Sequence, residues 1–162
     1  MSTLRLNTGD LRVASSGDIL VTGGVGSCVV ICIWDPTAQL GGMAHVCNAS
    51  SDGNILFPGR SAETAVPTLI NLLIKQGASP LALEVKLAGG GNMFSGIEIG
   101  TSGDVGFHIA NATRRTLQLF SLNLVEHSLG GRLGRAVSFC LTTGQVDVRF
   151  TNGQSLSLTK RG

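Results

Sequence analysis

Cys28 has the setting of a nucleophile. It follows the glycine-rich run Gly23-Gly24-Val25-Gly26-Ser27 and precedes an unbroken apolar stretch, Val29-Val30-Ile31-Cys32-Ile33-Trp34. A glycine turn in front of a nucleophile lets a substrate approach the backbone closely. It also leaves the N–H groups of Ser27 and Cys28 free to stabilise an oxyanion. Gly26 and Ser27 are therefore the candidate substrate-binding and oxyanion residues. A thiol with a pKa of about 8.5 is only a few per cent ionised near neutrality, so it needs a base. His45, which follows a second glycine pair at Gly41-Gly42, is the candidate. The bland alternative is that a free cysteine acts as a small buried hydrophobe. Cys32, Cys47 and Cys140 fit that role, each lying in an apolar strand pattern.

Two other places invite a chemical reading and lose it. Gly89-Gly90-Gly91-Asn92 follows a strand pattern, but the lysine and hydroxyl residue of a phosphate loop are missing at the required spacing. A tight turn under the active site is the expectation there. His108 and His127 have no carboxylate or cysteine at metal spacing apart from Glu126, and read as surface histidines. Cys28 and Cys32 fall in or beside a β-branched run, where i and i+4 are about 13 Å apart and cannot share one ion. Neither a metal nor a cofactor is expected.

The elements that must position these residues are mostly strands. Asp18 to Thr22 is β-prone and ends at the glycines. Cys28 to Trp34 is apolar on both alternate sets, as in a strand covered on both faces, and Asp35-Pro36 stops it. A strand is expected over 42–47 and a loop over 48–59. Ala62, Ala65, Val66, Leu69, Ile70 and Leu73 recur at helical spacing, with Ser61 as cap and Gly77 as stop; Pro67 conflicts with a regular helix. Leu81, Leu83, Val85 and Leu87 alternate as a half-buried strand. Ile109, Ala112, Thr113, Thr116, Leu117 and Phe120 outline a second helix starting somewhere in 104–111, and 122–125 resumes strand character. Val137, Phe139 and Leu141 pair with Val146, Val148 and Phe150 across Thr142-Thr143-Gly144-Gln145 as a hairpin, and Leu156 with Leu158 marks an edge strand. Two helices among about seven or eight mostly non-alternating strands predict a layered α/β domain with mixed sheets, not a doubly wound one.

The chain of 162 residues suits one domain. Its net charge of +2 forms no basic stripe, which argues against a nucleic-acid partner. The longest apolar run falls far short of the roughly 20 residues a membrane span requires. The first six residues do not read as a signal peptide, so a cytoplasmic location with free thiols is expected.

Several separated motifs then carry a resemblance. Thr22-Gly23-Gly24-Val25-Gly26-Ser27-Cys28-Val29-Val30, Asp35-Pro36 and Gly41-Gly42-Met43-Ala44-His45 resemble the chemoreceptor glutamine deamidase family, CheD. The similarity continues in order through Gly59-Arg60, Glu84 to Gly90, Asn92-Met93-Phe94, Gly130-Gly131, Gly134-Arg135 and Thr143-Gly144-Gln145-Val146 with Val148-Arg149. It departs between Ile97 and Asn111, where the family's Arg-Asn after an Ile-Gly is not met, and at His127, where an acid is common. The resemblance implies a single deamidase domain over 1–162, an α/β sandwich similar to bacterial cysteine deamidase toxins, and a triad of Cys28, His45 and Thr22. It further implies specific glutamines of methyl-accepting chemoreceptors as substrate and a CheC-type phosphatase as partner. A binding module regulating such a phosphatase, and a peptidase or acyl transferase using the same triad, are the rival readings.

Overall fold

The computed structural model describes residues 2–159; Met1 and residues 160–162 of the expected domain lie outside the described residues. In chain order the elements are β1 (Ser2–Arg5), β2 (Leu11–Ser15), β3 (Asp18–Val25), β4 (Val29–Asp35), β5 (Leu40–Val46), α1 (Ala62–Lys75), β6 (Glu84–Gly89), α2 (Val105–Leu119), β7 (Asn123–Leu129), β8 (Arg135–Cys140), β9 (Val146–Phe150) and β10 (Ser155–Leu158). They form two five-stranded sheets, ordered β1-β3-β8-β9-β10 and β2-β5-β4-β6-β7. Each sheet has one parallel edge pair, β1 with β3 and β6 with β7, and is otherwise antiparallel. Both helices cover the outer face of the second sheet, giving three layers. The expected layered α/β sandwich with mixed sheets and two helices is what forms.

The apolar run of β4 is explained by its place at the centre of the second sheet. Val29, Ile31 and Ile33 face the helices, while Val30 and Cys32 face the first sheet. Both faces are therefore dry, and no polar alternation appears. The adjacent glycines of β5 serve one layer each. A side chain on Gly41 would meet Leu141 at 2.6 Å, and one on Gly42 would meet Leu69 at 2.8 Å.

Asp35 stops β4 by an acceptor role. Its Oδ1 accepts from the Thr37 and Ala38 N–H groups at 2.9 and 3.1 Å, and its Oδ2 from the Ser79 N–H at 2.8 Å. Burial alone would raise this carboxyl, but the bonds from Ser79, Ala38 and Thr37 outweigh it and hold the pKa below the ordinary aspartate value. The stabilisation is thus present above the unfolded value of about pH 4 and fades as pH falls through the lower folded value. Asp35→Ala strands three N–H groups and is expected to lower unfolding free energy by about 2–4 kcal/mol. Denaturant titration near neutral pH checks this; a midpoint equal to wild type would contradict it.

The structure corrects three expectations. The strand read from Leu81 begins only at Glu84, because Pro80–Ala82 is a 3₁₀ turn that leaves Leu81 98% exposed. Pro80 fixes φ at the start of that turn, which overrides the alternation. The helix is continuous from Ala62 to Lys75 with Pro67 inside it, and Ser61 takes the cap position with its hydroxyl on Thr64 rather than on a backbone N–H. Finally, β1 and β2 were not expected at all. They are short and mostly exposed, so they carry little apolar pattern, and they form by adding edges to β3 and β5.

Candidate active site

His45 lies on β5 directly opposite Val30, on the face that packs against the first sheet. Thr22 lies on β3 of that first sheet, two residues from the buried Leu20 and on the same face. The interface between the sheets therefore brings the two residues together, and Thr22 Oγ1 sits 2.7 Å from His45 Nδ1. Both side chains are buried, His45 fully. The Thr22 hydroxyl also donates to the Leu6 carbonyl at 2.9 Å. A hydroxyl has one proton, so Oγ1 must accept from Nδ1–H if both contacts are hydrogen bonds. That fixes the proton on Nδ1 and leaves Nε2 with a lone pair. Among the described residues Nε2 is the one buried side-chain nitrogen or oxygen with no hydrogen-bond partner. An unsatisfied buried nitrogen costs about 1–3 kcal/mol, so its persistence needs a reason.

Cys28 immediately precedes β4, two positions from Val30 and on the same face. Thiol and imidazole are thus diagonal cross-strand neighbours, a relation with Cβ atoms within about 7–8 Å. The lone pair of Nε2 is the group that would take the thiol proton.

The turn before Cys28 is held from below by the glycine run after β6. The Gly90 N–H donates to the Cys28 carbonyl at 2.7 Å, and the Gly91 N–H to the Gly26 carbonyl at 3.0 Å. Gly89 has φ of +120°, and a side chain there would run into the Cys28 carbonyl oxygen. Only glycine serves such a position. Gly89-Gly90-Gly91 do not make the tight turn expected there: they end β6 and run on beside the Gly26–Cys28 segment, joined to it by these two bonds. Among the described residues the N–H groups of Ser27 and Cys28 donate to no carbonyl or side-chain oxygen of another residue. Gly26, for its part, has the Met93 side chain against it, 3.0 Å from where a Cβ would stand.

The electrostatics of the pair are those of two neutral partners. Burial lowers the His45 pKa from its ordinary value, against a smaller upward pull from Asp10. Burial also raises the Cys28 thiol, as does Cys47 nearby, while its own backbone N–H acts in the lowering direction. Both shifts disfavour the charged forms, the thiolate and the imidazolium.

Four residues had a different local setting from the one their sequence signal suggested. Cys47 and Cys140 are half-buried at strand ends, not buried strand interiors, and Cys47 lies beside Cys28. Asn92 is buried and its side chain bonds the Ile97 carbonyl and the Phe94 N–H, which shapes the segment after the glycine run. Arg132 donates to the Phe94 and Ile97 carbonyls of the same segment. His108 and His127 are exposed, as expected of surface histidines, and His127 Nε2 lies 3.2 Å from the Arg114 guanidinium.

The fold and site together define a mixed two-sheet α/β sandwich with a cysteine and a threonine-clamped histidine between the sheets. A crystal structure of the Bacillus licheniformis hypothetical protein YfiH shares the fold, with a TM-score of 0.51 at 12% identity over 74% of this chain; the match spans half the length of that chain. Residues 47–150 match the family model for CheD chemotactic sensory transduction, a stretch that begins beyond Thr22, Cys28 and His45. Over most of its length the chain is similar to the chemoreceptor glutamine deamidase CheD of Thermotoga maritima, 37% identical over 91% of this chain and 92% of that one. It is likewise similar to probable chemoreceptor glutamine deamidases of Desulforamulus reducens, 31% identical over 90% of this chain and 89% of that one, and of Caldanaerobacter subterraneus, 34% identical over 90% and 91%. The chain belongs to the CheD family.

Proposed function

We propose that this protein is a chemoreceptor glutamine deamidase, a single domain over residues 1–162 that hydrolyses glutamine side-chain amides of methyl-accepting chemoreceptors to glutamate. Family membership and the deamidase relatives support the activity. The observation that carries the chemistry is the Thr22–His45 contact, which leaves the Nε2 lone pair unpaired on the sheet face to which the register assigns Cys28. In this reading the Cys28 proton moves to Nε2 as the thiolate attacks the carboxamide carbon. The Ser27 and Cys28 N–H groups hold the oxyanion, and Gly26, which has Met93 packed where a side chain would stand, belongs to the turn that presents them. His45 returns the proton to departing ammonia, and water hydrolyses the thioester. Glutamine and water become glutamate and ammonia, and the receptor helix gains one negative charge per event.

Incubation with receptor cytoplasmic fragments is expected to release ammonia and add about 1 Da per modified glutamine, the difference between NH₂ and OH. Fragments that bind but gain no mass would sink the hydrolase and leave a binding module. Incorporation of an added amine in place of that gain would replace hydrolysis by acyl transfer. A CheC-type phosphatase as partner and action in the cytoplasm belong to the same proposal. No described helix is long and apolar enough to cross a membrane.

A further inference from the structure

The β4–β5 ladder places a second thiol against the first. Val29 pairs with Val46 and Val30 with His45, so the next pair along the same register is Cys28 opposite Cys47. In an antiparallel pair the residues alternate between bonding each other and bonding outward. His45 bonds outward, its N–H to Asp10 and its carbonyl to Gly9. Cys47 has the same parity, and its N–H likewise points away, to the Arg60 carbonyl at 3.0 Å. On the other strand the Cys28 carbonyl points away as well, to the Gly90 N–H. Cys28 and Cys47 are therefore a non-hydrogen-bonded pair, the kind whose Cα atoms are about 4.5 Å apart with side chains on one face. A disulfide needs Cα atoms about 4.4–6.8 Å apart and converging Cβ vectors. Both thiols are half-buried and free, whereas Cys32 is fully buried within β4 and Cys140 ends β8 in the other sheet.

We infer that Cys47 is a resolving thiol for Cys28, so that a peroxide converts the pair to a Cys28–Cys47 disulfide that switches the enzyme off and a thiol reductant switches it on again. In the first step the Cys28 thiolate attacks one peroxide oxygen. The S–O bond forms, the O–O bond breaks, and hydroxide leaves to become water, giving a sulfenic acid. In the second step the Cys47 thiolate attacks the Cys28 sulfur. The S–S bond forms, the S–O bond breaks, and the second oxygen leaves as water. Two thiols are oxidised and one hydrogen peroxide is reduced to two waters. The lone pair of His45 Nε2, which would make the thiolate for attack on an amide, makes it for attack on peroxide too. The disulfide then ties up the sulfur in question; Cys28 and Cys47 each lie one residue past the last ladder pair, Val29 with Val46, so closing the bond asks only for the ladder to extend by one pair. Disulfides of this transient kind are the ones a reducing compartment permits.

The consequence for activity rests on Cys28 being the nucleophile, but the bond itself does not, and the two are read separately. Purified full-length protein is treated with hydrogen peroxide at stoichiometric excess and analysed by intact mass and non-reducing peptide mapping. The expected result is a loss of about 2 Da with Cys28 and Cys47 in one linked peptide pair, and at least roughly tenfold loss of deamidation that dithiothreitol restores. Cys47→Ser should keep the reduced activity, form no linked pair, and gain about 32 Da at Cys28 as sulfinic acid, with inactivation that dithiothreitol no longer reverses. A linkage through Cys32 or Cys140, or a Cys47→Ser protein that recovers as fully as wild type, overturns the inference. A Cys28–Cys47 bond in a protein with no deamidase activity when reduced upholds the thiol pair and overturns the functional reading instead.

Discussion

Cys28→Ala is expected to lower kcat/KM for receptor-fragment deamidation by roughly 10⁴-fold or more while shifting thermal stability by less than about 1 kcal/mol. The thiol is half-buried and makes no hydrogen bond that holds the fold, so its removal leaves the β4–β5–β6 ladder and the Gly90 and Gly91 contacts in place. On the proposed mechanism, what disappears is the atom that forms the thioester, and the oxyanion donors alone cannot replace it. His45→Ala is expected to cost a similar factor, and the double variant no more than either single one, because nucleophile and base act as one unit. Additive losses in the double variant, or a Cys28→Ala protein within tenfold of wild type, would remove Cys28 from the reaction. The resting state adds a second reading of the same pair. Since burial raises the thiol, iodoacetamide should alkylate Cys28 in the free enzyme with an apparent pKa above that of an ordinary cysteine. On the proposed mechanism, activation then belongs to the substrate complex, where the thiol proton passes to Nε2 as attack begins.

How far the sequence led depended on whether a residue's environment was written locally. The both-sided burial of β4 was legible because a central strand needs apolar residues at every position, and 29–34 supplies them. The β8–β9 hairpin was legible for the opposite reason, since its alternation is regular and its turn contains glycine. The edge strands β1 and β2 were not, because edges are held by a neighbour's backbone and need little side-chain pattern. Leu81 misled because an exposed leucine beside a proline turn looks, in one dimension, like the start of the strand that follows. At the site, Cys28, the glycines around it and His45 could be singled out by type and spacing. Thr22 could not, and it entered only through the family resemblance. Its contact with His45 joins β3 of one sheet to β5 of the other, a relation that no periodicity within either strand encodes. Cys47 was read as a buried hydrophobe because its significance lies in a cross-strand register that becomes visible only once β4 and β5 are paired.

Thr22→Val is the variant that separates positioning from packing. Valine nearly matches threonine in shape but offers no acceptor to Nδ1–H and no donor to the Leu6 carbonyl. Two buried polar groups lose their partner, so stability should fall by about 2–3 kcal/mol. The imidazole also loses the contact that fixes its tautomer, and a share of the population places the proton on Nε2, where it cannot act as a base. On that account kcat should fall about 10²-fold with KM nearly unchanged, less than for loss of a buried aspartate because a hydroxyl is the weaker partner. The pH profile carries the decisive sign. Burial already lowers the His45 pKa, so the acid limb of kcat/KM should lie below the ordinary histidine value of about 6.5. The imidazolium bonds Oγ1 more strongly than the neutral ring does, so its loss disfavours the charged form further and moves that limb to still lower pH. Thr22→Ser keeps an oxygen in reach of both partners and should recover activity to within several-fold of wild type. A Thr22→Val enzyme that is merely less stable, with its acid limb unmoved and kcat intact in the folded fraction, would reduce Thr22 to a packing residue between the two sheets.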